Sequence, residues 1–351
     1  MAADGIPIYD VTGVAGTNPW FVYSAGGPPS SWATGYAASP WNSYIPSSWP
    51  ANPHINGDQP IPIQFWTETD SGQDNYTELS NYQAACRLMY GTIRTGVSKT
   101  AVQMPIFILS PMAFKVGQVA GTGQGYFQRQ SFDSFAADGA LNVKYCIGNM
   151  SDALPNGGTV DSFGTITGGD LAHISPGDHQ RYGYLMGLQI GATLIAQGLG
   201  DPLGISSVPS GVPVSNGPRV TAAAQSVSNV IRVAVAHDGG TALSAPLKAA
   251  SGLGWTVMVG GSLAAPGTLY NASGCTVVDA THIDVTFSGL GMPTVGTMLL
   301  FYSYGMSRPG PGSLVYDNYA SVTPPAGWNP SAIASAAVLN RPLQQVNALA
   351  L

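Results

Sequence analysis

Hydrophobic and polar positions follow two rhythms along this chain, and the change between them divides it. In the first part, short apolar runs alternate with stretches of helical spacing. Ile6 to Val14 and Trp20 to Ser24 read as strands feeding the turn Ala25-Gly26-Gly27-Pro28-Pro29. Ile61 to Thr67 reads as a buried strand with a polar end. Tyr76 to Thr95 sets Leu79, Tyr82, Cys86, Leu88 and Met89 on one side of a helix. Met104 to Ser110 is an apolar strand of the kind found inside a parallel sheet. Phe127 to Leu141 predicts a helix, Val143 to Ile147 a strand, and Arg181 to Gln197 a last helix. Strands alternating with helices imply crossover connections and an α/β fold with a parallel sheet.

From about Val208 the pattern becomes short β-prone runs: Val230 to Ala236, Trp255 to Val259, Cys275 to Asp279, His282 to Phe287 and Thr297 to Tyr304. Gly, Pro, Asn and Ser separate them, which predicts an all-β sandwich. The expected division is an α/β domain over residues 1–205 and a β-sandwich over 206–351. The linker falls in the Gly-, Pro- and Ser-rich stretch Gly200 to Pro218.

Composition narrows the function classes. Only 9% of the 351 residues are charged, against about 25% in an average globular chain. With 45 Gly and 27 Pro, the mix suits β-structure with many tight turns, its surface solvated by hydroxyls and amides. The 44% apolar content argues against disorder. A net charge of −6, with 12 basic residues and no basic cluster, disfavours nucleic acid. Cys86, Cys146 and Cys275 are an odd, widely spaced set, which indicates neither a disulfide framework nor a zinc site. No metal or organic cofactor is expected. The first residues do not read as a signal peptide, and no apolar run reads as a membrane span. Asn75, Asn149 and Asn271 open glycosylation-type triplets, which arise often by chance in such a composition.

The most informative short stretch is Gly169-Asp170-Leu171-Ala172-His173, followed by Ser175-Pro176-Gly177 and the last helix. An Asp three residues before a His presents both side chains from one tight turn. There the carboxylate fixes the imidazole tautomer and favours its protonated form, which would raise the His173 pKa. Ser-Pro-Gly then caps and opens the helix. The bland alternative is an exposed loop holding an Asp and a His by chance. Two other strand ends carry polar groups: Ser24-Ala25-Gly26-Gly27, whose amides suit an oxyanion, and Trp66-Thr67-Glu68-Thr69-Asp70.

In order along the chain, these blocks resemble the SGNH (GDSL-like) hydrolase superfamily, within it the sialate O-acetylesterase-like and carbohydrate acetylesterase branch. Gly26-Gly27-Pro28-Pro29-Ser30-Ser31-Trp32 has the outline of the branch's G-G-T-x-I-x-x-W segment. Phe65 to Asp70 resembles its W-x-G-E-x-D segment, with Thr67 in place of Gly and the Trp one position late. Tyr82, the strand Pro105 to Leu109 and the closing D-x-x-H at Asp170 and His173 complete the series. The resemblance implies a three-layer α/β domain with a small β-domain after it.

One departure matters most. The family's nucleophile lies on a G-D-S or G-Q-S-N turn upstream of the glycine pair, and no such turn precedes Gly26. Gly72-Gln73-Asp74-Asn75 has Asp where the Ser belongs and lies on the wrong side of Glu68. Ser24 is the one upstream candidate for a displaced nucleophile; its simpler role is capping a turn. Three explanations stay open: the Ser lies on another segment or polypeptide, the fold is a degenerate hydrolase, or the nucleophile comes from an unexpected position.

The resemblance implies a carbohydrate O-acyl ester hydrolase, with O-acetyl as the acyl group, or the C-terminal part of one. His173 is then the general base, Asp170 its orienting partner, and Gly26 or Gly27 the oxyanion donor. Glu68, Asp70, Trp66 and Trp32 line the substrate side. The implied partners are an acylated glycan and a second polypeptide or upstream segment completing the sheet, in an extracellular, cell-surface or virion-surface setting. The competing class is a non-catalytic glycan-binding or structural protein on the same fold. His179, His237-Asp238 and His282-x-Asp284 read as solvated residues. The aromatics Trp20, Tyr23, Trp32, Tyr36, Trp41, Tyr44 and Trp49 read equally as sugar platforms or loop anchors.

Overall fold

The computed structural model describes residues 61–64, 79–96, 98–110, 126–200, 215–262, 265–289, 297–303, 308–319 and 341–351. The chain forms a mixed α/β structure in two compact units that interleave along the sequence. One comprises Met1–Ser110, Phe127–Cys146 and Met186–Ser210, the other Pro111–Tyr126, Ile147–Leu185 and Gly211–Leu351.

In the first unit, β1 (Ile63–Gln64), β2 (Ile106–Leu109) and β3 (Val143–Ile147, whose last residue belongs to the other unit) form a parallel sheet in the order β1-β2-β3. Every side chain of β2 is buried, as an uninterrupted apolar run requires. Helix α1 (Leu79–Gly96) follows β1, and helix α2 (Tyr126–Ala137) connects β2 to β3. Tyr90 of α1 meets Phe135 of α2 edge-on, with ring centroids 5.5 Å apart. Arg94, at the end of α1, donates through Nε to the Met104 carbonyl at 3.0 Å and so ties the helix to the lead-in of β2. Arg129 of α2 donates to the Ser110 hydroxyl at 2.6 Å, just past the end of β2.

In the second unit, β4 (Pro155–Val160) and β5 (Ile166–Ile174) form an antiparallel hairpin. Helix α3 (Pro176–Ala196) starts in this unit and continues into the first. Where the sequence predicts a sandwich of two sheets, the described β-rich remainder is built mainly on one seven-stranded sheet, because its strands pair in a single continuous series. Its strands are β6 (Arg219–Val227), β7 (Val230–Ala236), β9 (Trp255–Gly261), β10 (Pro266–Val277), β11 (His282–Phe287), β12 (Met298–Tyr302) and β14 (Val346–Ala350). Their order is β14-β12-β9-β10-β11-β7-β6, and every neighbouring pair is antiparallel. The edge strands β14 and β6 approach each other, so the sheet curls toward a barrel. A two-stranded ladder pairs β8 (Leu243–Ser244) with β13 (Tyr316–Asp317).

Alternation sets the core of that sheet. Ile231, Val233 and Val235 of β7 and Ile283, Val285 and Phe287 of β11 point inward at every second position. Trp255 and Tyr302 stack at 4.3 Å in the same cluster, and Leu314, Val315 and Leu343 pack into it. The Val315 amide donates to the buried Tyr302 hydroxyl at 2.8 Å, which satisfies both groups. Among the described residues, no helix is long and apolar enough to cross a membrane.

Candidate active site

Asp170 and His173 lie on β5. The sequence predicts a tight turn there; the structure has an extended strand interrupted by a bulge. Asn156 of β4 stands opposite Asp170, yet the preceding residue, Pro155, stands opposite Ile174. Leu171, Ala172 and His173 therefore have no opposite residues on β4. Bulges of this kind bend a strand and re-aim its side chains, and they recur beside active sites. Both residues are described through their backbone; their side chains, and hence the predicted contact between them, lie outside the described part. The extended course has a local cause in the glycines of both strands. Gly168 and Gly169 carry φ of 64° and 85°, and a Cβ on Gly169 would stand 2.8 Å from the Gly158 nitrogen. Only glycine permits this approach immediately before the Asp.

The hairpin is closed at both ends. At its tip, Asp161 Oδ1 accepts from the amides of Phe163 at 2.8 Å and Thr165 at 2.9 Å. At its base, Ser175 N donates to the Leu154 carbonyl at 2.8 Å. Ser175 is also the N-cap of α3: its hydroxyl accepts from Asp178 N at 3.1 Å and donates to Asp178 Oδ2 at 2.9 Å. The predicted Ser-Pro-Gly helix opening is present, with Pro176 at the first helical position.

Behind this cap lies a cluster of buried charge. Asp178 Oδ2 accepts from Leu154 N at 2.7 Å, and its Oδ1 lies 2.7 Å from Arg181 Nη2. Arg181 Nη1 donates to Asp152 Oδ2 at 2.5 Å, and Tyr182 donates through its hydroxyl to Asp152 Oδ1 at 2.7 Å. Arg341 Nη1 stands 3.6 Å from Asp152 Oδ1, while its Nη2 donates to the Asn149 carbonyl. Arg308 donates to the Ala153 carbonyl. Asp152, Asp178, Arg181, Arg308 and Arg341 are each between 0% and 4% exposed. Burial on its own would raise the Asp152 carboxyl, but Arg181, Arg341 and the Tyr182 hydroxyl outweigh it and hold the group below the usual range. Burial pushes the Arg308 guanidinium down to about 10, and Tyr182 Oη is driven far above an ordinary phenol. Three guanidiniums against two carboxylates form a buried cluster at the start of α3 and the entry to β4.

Sequence reasoning missed this cluster and the β4 strand. Residues 155–160 read Pro-Asn-Gly-Gly-Thr-Val and offer no apolar alternation. The readable signal was Ser175-x-x-Asp178, a capping-box spacing.

The remaining predicted site residues, Ser24, Gly26, Gly27, Trp32, Trp66, Glu68 and Asp70, lie outside the described residues, as does the aromatic cluster from Trp20 to Trp49. His179 is exposed, with Nδ1 3.1 Å from the Ser175 carbonyl oxygen. His237 sits between Asp317 Oδ2 at 3.2 Å and the Ala280 carbonyl oxygen at 2.7 Å. His282 lies 3.0 Å from Asp279, and Asp284 pairs with Arg232. Asn149 is wholly buried with its amide donating to the Pro342 carbonyl, so that triplet is no glycan acceptor in the folded chain. Cys86, Cys146 and Cys275 are all buried and form no disulfide. No protein-family model, curated protein or solved structure matches the chain.

Proposed function

We propose that the chain hydrolyses O-acyl esters of carbohydrates, with O-acetyl as the acyl group, either alone or as the C-terminal part of an enzyme whose nucleophilic Ser lies on another segment or chain. In this reading the described α/β part is a three-layer SGNH-like domain. The observation that carries it is local. An Asp-x-x-His occupies a strand bulge that ends two residues before a capped helix, and buried ion pairs fix that junction.

The chemistry follows the acyl-transfer scheme. His173 takes the proton from the attacking Ser hydroxyl as its oxygen bonds to the ester carbonyl carbon. Asp170 holds the imidazole in the right tautomer and favours the imidazolium. The carbonyl oxygen becomes an oxyanion, for which the resemblance assigns an amide of Gly26 or Gly27. The intermediate collapses to an acyl-Ser, and His173 returns its proton to the departing sugar oxygen. Water, deprotonated by His173, then releases the acid. Glu68, Asp70, Trp66 and Trp32 shape the side that receives acyl group and sugar. Turnover rises with pH as His173 loses its proton.

The test is acetate release from an O-acetylated glycan, with fluorophosphonate labelling, by the chain alone and together with any polypeptide that co-purifies with it. The chain alone is expected to act feebly on aryl acetates and to escape labelling. Labelling on completion identifies the Ser, and His173→Ala abolishes release. Release unaffected by His173→Ala refutes the proposal. Glycan binding without release in either state refutes it in favour of a recognition protein.

A further inference from the structure

We infer that Asp178 is the positioning residue for His173, acting through the backbone rather than on the substrate. The inference rests on the proposed role of His173 as the base. A bulge with no opposite residues is only as well placed as its two ends. Its upstream end follows two glycines at positive φ, the most permissive backbone in the hairpin. The downstream end must supply the stiffness, and there one carboxylate joins three elements.

Asp178 Oδ2 accepts from Leu154 N, at the entry to β4, and from the Ser175 hydroxyl, at the exit of β5. Its Oδ1 faces Arg181 one helical turn on. Ser175 N to the Leu154 carbonyl closes the same ring of contacts from the backbone side. His173 lies two residues from Ser175, so the carboxylate locks the distance between the two strands beside the candidate base. A charge wholly buried at a helix start is costly unless each lone pair is used. A capping role alone needs only the bond to Ser175. The added bond to Leu154 is what pins the opposing strand.

The experiment titrates His173 by NMR in the full chain labelled at histidine, comparing wild type with Asp178→Asn, Ser175→Ala and Ser175→Thr. Ser175→Ala leaves Asp178 bound to Leu154 and Arg181, so it serves should Asp178→Asn fail to fold. The expected result is that both disruptive variants move the His173 midpoint toward that of a free imidazole, about 6.5. Ser175→Thr restores the wild-type midpoint. In the enzyme completed by its Ser-bearing segment or chain, kcat for 4-nitrophenyl acetate is expected to fall about 10- to 100-fold in the same variants with KM unchanged, the cost of misplacing a reacting group by about 1 Å. An unchanged His173 midpoint in the folded variants overturns the inference. Turnover indifferent to His173→Ala instead overturns the esterase reading, and the titration still judges the clamp.

Discussion

Asp152→Asn is the sharpest probe of the buried charge cluster at the start of α3. The change preserves shape and removes one charge, leaving Arg181 and Arg341 buried without the carboxylate they share. Asp152 accepts at 2.5 Å from Arg181 and at 2.7 Å from Tyr182, with Arg341 3.6 Å away. An amide can accept from one of these donors, but its NH2 then faces another donor. Removing one partner of a buried pair costs about 3–5 kcal/mol, a large share of the roughly 5–15 kcal/mol that holds a domain folded. With a urea m-value of about 3 kcal/mol/M, the midpoint should fall by at least about 1 M. Urea titration followed by near-UV circular dichroism measures it.

The pH dependence supplies the second half of that test. The folded-state pKa of Asp152 lies below its ordinary 3.8 because Arg181 and Arg341 outweigh burial. Its contribution is therefore complete above pH 3.8 and is lost as pH falls through the lower folded value. The stability gap between wild type and Asp152→Asn should be constant from pH 7 to 5 and narrow below pH 3.8. A variant as stable as wild type at pH 7, or a gap unchanged in acid, refutes the reasoning.

Two further outcomes test other parts of the fold. Gly169→Ala meets a left-handed φ of 85° and a backbone nitrogen 2.8 Å from its new Cβ; it should lose about 1–2 kcal/mol from the conformation alone. Gly183→Ala, mid-helix and with nothing within 4 Å, should gain about 0.5–1 kcal/mol; thermal unfolding of the pair reads the contrast. Burial pushes the Cys275 thiol up to about 12, so iodoacetamide at pH 8 should leave it unmodified until urea unfolds the chain. Rapid native alkylation mapped to Cys275 contradicts its placement in the sheet core.

Legibility in the sequence tracked how each element is buried. Strands β7 and β11 alternate because one face packs inward, and their spans were readable to the residue. Strand β2 was readable for the same reason, its apolar run being buried throughout, and helix α1 was readable as a helix, although of its predicted apolar side Cys86 is buried and Leu88 is exposed. Hairpin β4–β5 was not, because β4 is largely exposed and its register is set by glycine backbone and the Asp161 turn rather than by side-chain burial. Asp170 and His173 were read as a pair from their spacing, and the strand bulge that carries them was not foreseeable from it. The buried charges left no periodic trace either. Asp152, Arg308 and Arg341 come from irregular segments, and Arg181 sits in the polar opening of α3, where a charge reads as solvent-facing.

The cluster joins residues at very different separations. Asp152 meets Arg181 across 29 positions, whereas Arg341 reaches Asn149 across 192. Contacts of the second kind form late, since a long loop must close before they repay its entropy. During synthesis, Asp152 and Arg181 emerge long before Arg341 exists to complete their surroundings. The hairpin carrying Asp170 and His173 is thus made well before Arg341, whose guanidinium joins the same buried cluster as Asp152. A chain stalled before residue 341 would hold every residue of that hairpin while Asp152 still lacked its second guanidinium.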